Sequence, residues 1–329
     1  MNRAGAVPFV IGQWVCGAKF YGRSDLLAQL REGPRRWCWI AGLRRIGKTS
    51  LLKELDFRAS REARPCLSLF WDFQGIDCAE DLALSFCDAL LDAEESLERL
   101  GIPLGSVEDP HLPSALEKLR TALERRSAEL LLLLDEMDEG VPLEGSRPGL
   151  GAELWQRLAG FEGLRVVAAS SVALADRAAR EGSARRLVEP FREPRLLGAL
   201  DRDDARSLLL QDHLPEPSGP CLGNPGVETL LDACGDHPML LQMAGKRCLE
   251  LGDAEEALRQ MEADRSVHHL LAVDFELLSE AERQILRDVA GGGDAPVRGA
   301  QRLVDLGVLR RRPGGFAIPN HFLASWLRR

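Results

Sequence analysis

Short apolar runs alternate with helical patterns over the first 200 residues of the chain. Each run is mainly hydrophobic, as in strands that a parallel sheet buries on both faces. The predicted strands are 36–41, 66–72, 129–134, 164–169 and 195–198. Between these runs, apolar residues recur every three or four positions, which predicts helices. The predicted helices are 24–30, 48–61, 79–100, 114–128, 151–160 and 172–181.

This alternation predicts an α/β core domain over residues 1–199, in which a parallel sheet is sandwiched between helices. Residues 7–23 precede the first helix and indicate an irregular lead-in with short strand-like pieces. Glycine and proline between 140 and 149 predict a loop after the third strand.

The pattern changes near residue 201, where helical periodicity continues without intervening strands. A loop rich in proline and glycine interrupts it at 215–226. The sequence therefore predicts an all-helical domain over residues 200–265. Its predicted helices are 201–212, 226–234, 237–250 and 253–263.

The last segment, 266–329, combines helices with a hairpin. Ser279 and Glu282 form a capping box, which marks the start of a helix. Helices followed by a two-stranded wing are typical of a winged helix-turn-helix domain. The predicted elements are helices at 266–278, 283–290 and 296–306 and strands at 307–310 and 316–318.

The composition is that of a globular protein, with 45% hydrophobic and 28% charged residues in a chain of 329. No apolar run approaches the ~18–20 residues that span a bilayer. The N-terminus lacks the apolar stretch of a signal peptide. We therefore expect a cytoplasmic protein with no membrane partner. The eight cysteines follow no zinc-like spacing, so we expect them to be reduced.

The formal net charge of −9 disfavours broad affinity for nucleic acid, but the charge is unevenly distributed. Residues 296–329 hold seven arginines and one acid and carry +6, so the rest of the chain carries −15. One interpretation is that this segment faces DNA, with Arg298, Gln301 and Arg302 on a recognition helix and the arginines at 310–312 on the wing. The other is that the arginines pair with acids of the remaining chain. We favour pairing or protein contact.

The segment GLRRIGKTS at 42–50 fits G-x-x-x-x-G-K-[ST], a phosphate-binding loop. Gly42 and Gly47 permit backbone angles that a Cβ would penalise, so successive N–H groups can face the phosphates. Lys48 would add positive charge at the β- and γ-phosphates, and the Thr49 hydroxyl would bind Mg²⁺. A strand precedes the motif and a helix follows it, as the chemistry requires. The other predicted contacts of the loop are Arg45, Ile46 and Ser50.

Two carboxylates follow the leucine run at 130–134. Asp135 would bind Mg²⁺, and Glu136 would accept a proton from the attacking water. Asp72 also ends a predicted strand, on the side where parallel sheets bind ligands. An acidic pair after a strand is common, but its position downstream of a phosphate loop indicates an NTP-hydrolysing site.

Other polar residues leave two interpretations open. Ser170 and Ser171 end the fourth strand, where either hydroxyl could touch the γ-phosphate or simply cap the next helix. Tyr21 and its neighbours could border a nucleobase or belong to an arm that packs on the core. His237 could contact the nucleotide or serve only to start a helix.

Together these motifs resemble those of STAND-type P-loop ATPases, which are related to AAA+ proteins, archaeal-type ATPases and Orc/Cdc6-like proteins. The resemblance covers nearly the whole chain. Its more specific parts are the sequence GLRRIGKTSLL and the G-x-H-P segment at 235–238. It implies a P-loop NTPase fold of the ASCE/AAA+ kind, followed by a helical lid and a winged helix.

The resemblance also implies ATP or ADP and Mg²⁺ as ligands and slow, regulated ATP hydrolysis as activity. By similarity, Ser170 or Ser171 would be the sensor 1 residue. His237 and Pro238 would lie in the lid segment that touches the base. The residues bordering adenine and ribose would be Val10, Ile11, Gly12, Gly22 and Arg23.

A nucleotide-driven switch is the function that this resemblance implies, with possible assembly into homo-oligomers on ATP binding. No repeat array follows the predicted winged helix in this sequence, so we expect a separate partner protein, in a pathway such as bacterial antiviral defence. The alternative is a DNA-associated AAA+ ATPase, acting in transposition, replication or transcription. The sequence assigns no arginine finger.

Overall fold

The computed structural model describes residues 8–214, 219, 223–293 and 297–329. The chain divides into two compact units. The sheet unit consists of Ser24–Ala41 and Lys48–Arg195. The helical unit consists of the described residues of Met1–Arg23, Gly42–Gly47 and Leu196–Arg329. The domain boundaries predicted near residues 199 and 265 stay a prediction.

One five-stranded sheet has the spatial order β2-β3-β4-β1-β5. The leucines at 130–134 are at most 1% exposed, because this strand lies in the interior of the sheet. Strands β2, β3 and β4 pair in parallel. The predicted α/β class with a parallel sheet is thus confirmed. The strands are β1 (Trp37–Gly42), β2 (Cys66–Asp72), β3 (Glu129–Asp135), β4 (Leu164–Ser171) and β5 (Arg195–Leu197).

Helices of the sheet unit pack their apolar faces on this sheet. Trp71 of β2 and Phe86 of the third helix are both fully buried, with ring centroids 4.9 Å apart. The helices are α1 (Ser24–Glu32), α2 (Lys48–Ala59), α3 (Ala79–Asp92), α4 (Glu94–Arg99), α5 (Leu112–Glu124), α6 (Gly140–Ser146), α7 (Leu150–Ala159), α8 (Val172–Arg180) and α9 (Gly182–Val188).

Helix α6 occupies most of the segment that was predicted to be a loop, so that prediction was wrong. Its Glu144 is 1% exposed and accepts the N–H groups of Gly149 and Gly151, at 2.8 Å each. Arg186 pairs with the same carboxylate at 2.6 Å. The proline in α6 lies in the first turn, where it removes no helical hydrogen bond. These tertiary bonds outweigh the weak local helix propensity.

Two further differences concern short helices. The helix predicted over 79–100 is interrupted at Ala93, whose ψ of 9° departs from helical geometry. Helix α9 was not predicted. The lead-in also differs, since its described residues 8–23 contain one 3₁₀ turn, Gly17–Lys19, and no strand.

The helical unit contains the helices predicted after residue 201, and the capping box is confirmed, with Ser279 N–H donating to Glu282 Oε2 at 2.9 Å. Within the described residues, no helix is long and apolar enough to cross a membrane. The elements are α10 (Arg202–Leu210), α11 (Asn224–Cys234), α12 (Pro238–Leu251), α13 (Ala254–Glu262), α14 (Arg265–Glu276), α15 (Glu280–Ala290), α16 (Val297–Asp305), β6 (Arg310–Arg312), β7 (Gly315–Ala317) and α17 (His321–Leu327).

The hairpin starts later than predicted, because the residues before it are packed inside the helical unit. Val308 and Leu309 are 6% and 2% exposed. Gly307 has φ +72°, and a Cβ there would lie 2.6 Å from the Ala199 nitrogen. This close approach keeps 307–309 out of the hairpin, and β6 pairs with β7 antiparallel from Arg310 onward.

Candidate nucleotide site

The phosphate loop has the strand–loop–helix context that its sequence predicts. Strand β1 ends at Gly42, and α2 begins at Lys48. Gly47 has φ +103°, a conformation that favours glycine, and nothing would crowd a Cβ there. At Gly42 a larger residue would not fit, since a Cβ would lie 2.9 Å from the Ile46 side chain. The geometry therefore explains both glycines of the motif.

The acidic edge of the sheet unit brings the predicted metal ligands together. Asp135 is 3% exposed and accepts a hydrogen bond from the Thr49 hydroxyl. Strand register places Asp72 beside Asp135. Burial raises the pKa of Asp135, the Thr49 bond opposes this rise, and the charge of Asp72 adds to it. A hydroxyl and a carboxylate held side by side, with further carboxylates nearby, form an oxygen donor set that suits Mg²⁺.

Glu136 turns away from the strand in a left-handed conformation, with φ +50°. Such a backbone costs energy for a residue other than glycine, and it often marks a functional position. Burial raises the pKa of Glu136; the charge of Asp135 adds to this, and the charge of Lys48 opposes it. A carboxylate with a raised pKa is a stronger base, as proton abstraction from water requires.

The two serines at the end of β4 have different partners. Ser170 is fully buried; its hydroxyl accepts the Trp39 Nε1–H at 2.8 Å and donates to the Ser171 carbonyl at 2.9 Å. Ser171 caps α8 by accepting the Ala173 N–H, and its hydroxyl donates to Asp138 at 2.6 Å. The cap accounts for Ser171, whereas the role of Ser170 as sensor 1 stays a prediction.

Trp39 and Asp138 are residues that the sequence interpretation missed. Asp138 accepts both the N–H and the hydroxyl of Ser171, at 2.7 and 2.6 Å. A signal for Asp138 existed, because it is the third acid in the run DEMD after β3. No sequence pattern indicated a role for Trp39 at the site, because a tryptophan in a buried strand usually belongs to the hydrophobic core.

The residues predicted to border adenine and ribose belong to the helical unit, together with Gly42–Gly47. The Val10 N–H donates to Gln242 at 3.0 Å, and the Gly12 carbonyl accepts from Arg45 at 2.9 Å. Ile11 between them is 38% exposed. These bonds attach the lead-in to both α12 and the phosphate loop.

Gly22 and Arg23 both have positive φ, at +75° and +64°. A Cβ at Gly22 would lie 2.3 Å from the Asp204 carboxylate, so only glycine fits. The Arg23 guanidinium donates to the Gly198 carbonyl at 2.5 Å. Its pKa is lowered to about 10 by burial, against the charges of Asp201 and Asp204.

His237 precedes Pro238, the first residue of α12, as predicted. Both ring nitrogens are buried without a hydrogen-bond partner among the described residues. The pKa of His237 is lowered to about 4, mainly by burial; an interaction with its own backbone opposes this and the charge of Arg23 adds to it, so the ring is neutral at pH 7. His237 and Ile46 line one small, mainly apolar cavity of about 40 Å³. The structure thus brings His237, Arg23 and Ile46 into one neighbourhood.

Tyr21 packs inside its own unit. It is 4% exposed, and its ring stacks on His213 with centroids 4.2 Å apart. The packing interpretation therefore holds for Tyr21, whereas contact of Gly22 and Arg23 with a nucleotide stays a prediction. A second contact was not predicted: the Arg44 N–H of the phosphate loop donates to Asp274 of α14 at 2.8 Å. No local pattern announces such a bond between distant segments.

Comparison with known proteins supports the fold. No protein-family model and no curated protein sequence matches the chain. The Walker-type ATPase PABY2304 of Pyrococcus abyssi is similar in structure, with a TM-score of 0.67 and 17% identity over 98% of this chain and 100% of that one. The ORC2 protein of Aeropyrum pernix in its ADP form gives a TM-score of 0.50 and 17% identity, over 97% and 95% of the two chains. The chain therefore has the fold of P-loop ATPases of this kind.

Proposed function

We propose that this protein binds ATP and hydrolyses it slowly, as a nucleotide-dependent switch. The observation that carries the proposal is the bond between Thr49 and the buried Asp135, with Lys48 close enough for its charge to lower the pKa of both Asp135 and Glu136. The similarity to a Walker-type ATPase over the whole chain supports it.

In the proposed mechanism the N–H groups of the loop and the Lys48 ammonium bind the β- and γ-phosphates. Thr49 and Asp135 would hold Mg²⁺, which supplies positive charge to the phosphate oxygens when bound. Glu136 orients a water molecule and accepts its proton as the water attacks the γ-phosphorus. Ser170 at the end of β4 would sense the γ-phosphate.

The base would be bordered by the predicted residues of the lead-in and by His237 with Pro238. A neutral imidazole offers one donor and one acceptor, which suits the polar edge of a purine. The unpartnered nitrogens of His237 are the observation that supports this part of the proposal.

The substitution Glu136→Gln tests the hydrolytic step. It keeps size and removes the base, so we expect phosphate release to fall at least about 100-fold while Mg·ATP still binds. Glu139→Gln, an exposed acid three residues later, is the matched control and should change neither quantity. Unchanged phosphate release in Glu136→Gln would contradict the mechanism.

At the level of biological role, we propose a STAND-like switch that acts through a separate partner protein, with homo-oligomer formation on ATP binding and a setting such as antiviral defence. The described residues of the predicted winged helix, 266–329, lie in the same compact unit as His237. A nucleotide contact at His237 could therefore change what these elements bind. Particle size measured with ADP, ATP and a slowly hydrolysed analogue tests the oligomer.

A DNA-associated ATPase is the second candidate, because β6 consists of three exposed arginines. Two arginines of the C-terminal segment nevertheless already have acidic partners: Arg302 pairs with Glu282 at 3.1 Å, and Arg310 pairs with Asp236 at 2.7 Å. We therefore favour the protein partner. The side chain of Arg298 lies outside the described residues.

Binding of a DNA duplex at low and at higher salt distinguishes the two candidates. DNA recognition predicts salt-sensitive binding that the triple variant Arg298→Ala, Arg302→Ala, Arg311→Ala abolishes. Equal, weak binding by both proteins supports the protein partner.

A further inference from the structure

Asp236 accepts bonds from two arginines that are distant in sequence. It is 2% exposed, and its two carboxylate oxygens accept hydrogen bonds from Arg202 at 3.0 Å and from Arg310 at 2.7 Å. A buried carboxylate is stable only when such donors compensate its charge. Both arginines are thus required partners of this one side chain.

The backbone at this position is equally constrained. Gly235 and Asp236 both have φ +59°, the left-handed region that side chains other than glycine rarely adopt. A Cβ at Gly235 would lie 2.7 Å from the Asn320 nitrogen, and the Asp236 carbonyl accepts the Leu200 N–H at 3.1 Å. The turn between α11 and α12 is therefore held by residues that precede α10 and α17.

The two arginines differ in what else they bind. Arg202 also pairs with Glu228 at 2.6 Å and with Asp232 at 2.5 Å. Arg310, which begins the hairpin, has a half-exposed side chain and forms no second ion pair among the described residues. Loss of the bond to Asp236 would leave Arg202 paired but would leave Arg310 without an acidic partner and remove one attachment of the hairpin.

Asp236 directly precedes His237, whose ring nitrogens are buried without partners. The dihedral angles of Asp236 set the direction in which the His237 side chain leaves the turn. A shift of the His237 backbone on binding a ligand would therefore move the carboxylate to which Arg310 is bound.

We propose that Asp236 is a positioning residue that holds His237 at the nucleotide contact, and that its ion pair with Arg310 couples this contact to the β6–β7 hairpin. The inference rests on the proposed function of His237. Coupling of this kind is reciprocal, so a partner that captures Arg310 changes nucleotide affinity by the same factor by which nucleotide changes capture.

The test uses the full chain and two readouts, the Kd for ADP and hydrogen exchange of the peptide 308–317 with and without ADP. In Arg310→Gln we expect exchange without ADP to be about tenfold faster, because the hairpin loses a bond to a buried charge. We also expect ADP to bind about fivefold more weakly and to lose its effect on hairpin exchange.

Two further variants separate positioning from general damage. Arg310→Lys keeps the charge and should restore most of the ADP affinity and of the ADP effect on exchange. Arg259→Gln removes an arginine from an exposed ion pair on α13 and should behave as the unmodified protein. Asp236→Asn should weaken ADP binding more than Arg310→Gln, because both arginines lose a charged partner.

Several outcomes would overturn the proposal. If Arg310→Gln binds ADP with unchanged affinity and ADP still alters hairpin exchange, Asp236 does not couple the two regions. If Arg310→Lys fails to restore ADP affinity and the ADP effect on hairpin exchange, the positive charge at position 310 does not couple the two regions. If the unmodified protein binds no ADP, the proposed nucleotide function fails as well, whereas ADP binding without coupling overturns only the role of Asp236.

Discussion

The sheet unit and the helical unit arrange their candidate site residues in different ways. In the sheet unit, Asp135 and Ser170 lie at the carboxyl ends of adjacent parallel strands and Glu136 follows directly, so strand pairing alone brings them together. In the helical unit, Arg23 and His237 come from segments more than 200 residues apart and come close enough through tertiary packing for the charge of Arg23 to act on His237.

This difference bears on how the two groups of residues can be altered. Residues at strand ends are positioned by a buried, hydrogen-bonded sheet, so substitutions there should affect chemistry more than folding. Residues of the helical unit depend on a few ion pairs and left-handed turns, so substitutions there should affect stability and coupling first. The following predictions test that distinction, from the largest expected effect to the smallest.

Asp135→Asn should reduce magnesium-dependent phosphate release at least about 100-fold, because it removes the charged metal ligand of the sheet unit. Binding of nucleotide without Mg²⁺ should change little. Steady-state release and binding with and without Mg²⁺ measure this, and Asp92→Asn, an exposed acid of the same unit, is the control. Equal loss in both variants would point to general damage.

Gly235→Ala should destabilise the protein by about 3 kcal/mol, from a left-handed φ together with a clash against Asn320. Gly252→Ala has a similar φ of +72° but open space around the Cβ, so only about 1 kcal/mol is expected. Urea unfolding of both variants measures the difference. Equal losses would mean that the packing of this turn does not matter.

Substitutions of Ser170 and Ser171 should likewise separate an effect on turnover from an effect on stability. Ser171→Ala removes a helix cap and should cost about 1 kcal/mol of stability with turnover unchanged. Ser170→Ala should lower kcat about tenfold if Ser170 senses the γ-phosphate. Denaturation and phosphate-release assays on both variants measure these effects, and the reverse result would exchange their roles.

The pH dependence of the free energy of unfolding should show how much the buried carboxylates Asp135 and Glu136 destabilise the protein. Burial raises the pKa of Asp135 and of Glu136. A carboxyl group with a raised pKa binds more protons in the folded state, so it stabilises folding at low pH. This contribution is lost as pH rises from ordinary values of about 4 through the raised values.

Without metal or nucleotide, Asp135→Asn should therefore gain stability relative to the unmodified protein across this pH window and keep a constant advantage above it. Urea unfolding at a series of pH values measures the gain. A difference that is independent of pH would show that the carboxylate is already compensated in the empty protein.

Much of the sheet unit was predictable, because its hydrophobic pattern along the chain corresponds directly to the strands that the sheet buries. The leucines at 130–134 indicated a strand buried on both faces, and Asp135 and Glu136 had to lie at its carboxyl end. The segment 140–149 was not predictable, because helix α6 depends on Glu144 bonding to residues beyond its own end.

The sequence by itself determined the class of fold, the phosphate loop and the acidic pair, because each follows from residue type and spacing within one short segment. Only the tertiary structure decided that Tyr21 packs on His213, that Ser171 binds Asp138 and that Arg310 binds Asp236. These contacts join residues 33 to 192 positions apart or compete for one side chain. Burial and bond geometry select them, and neither is encoded in local periodicity.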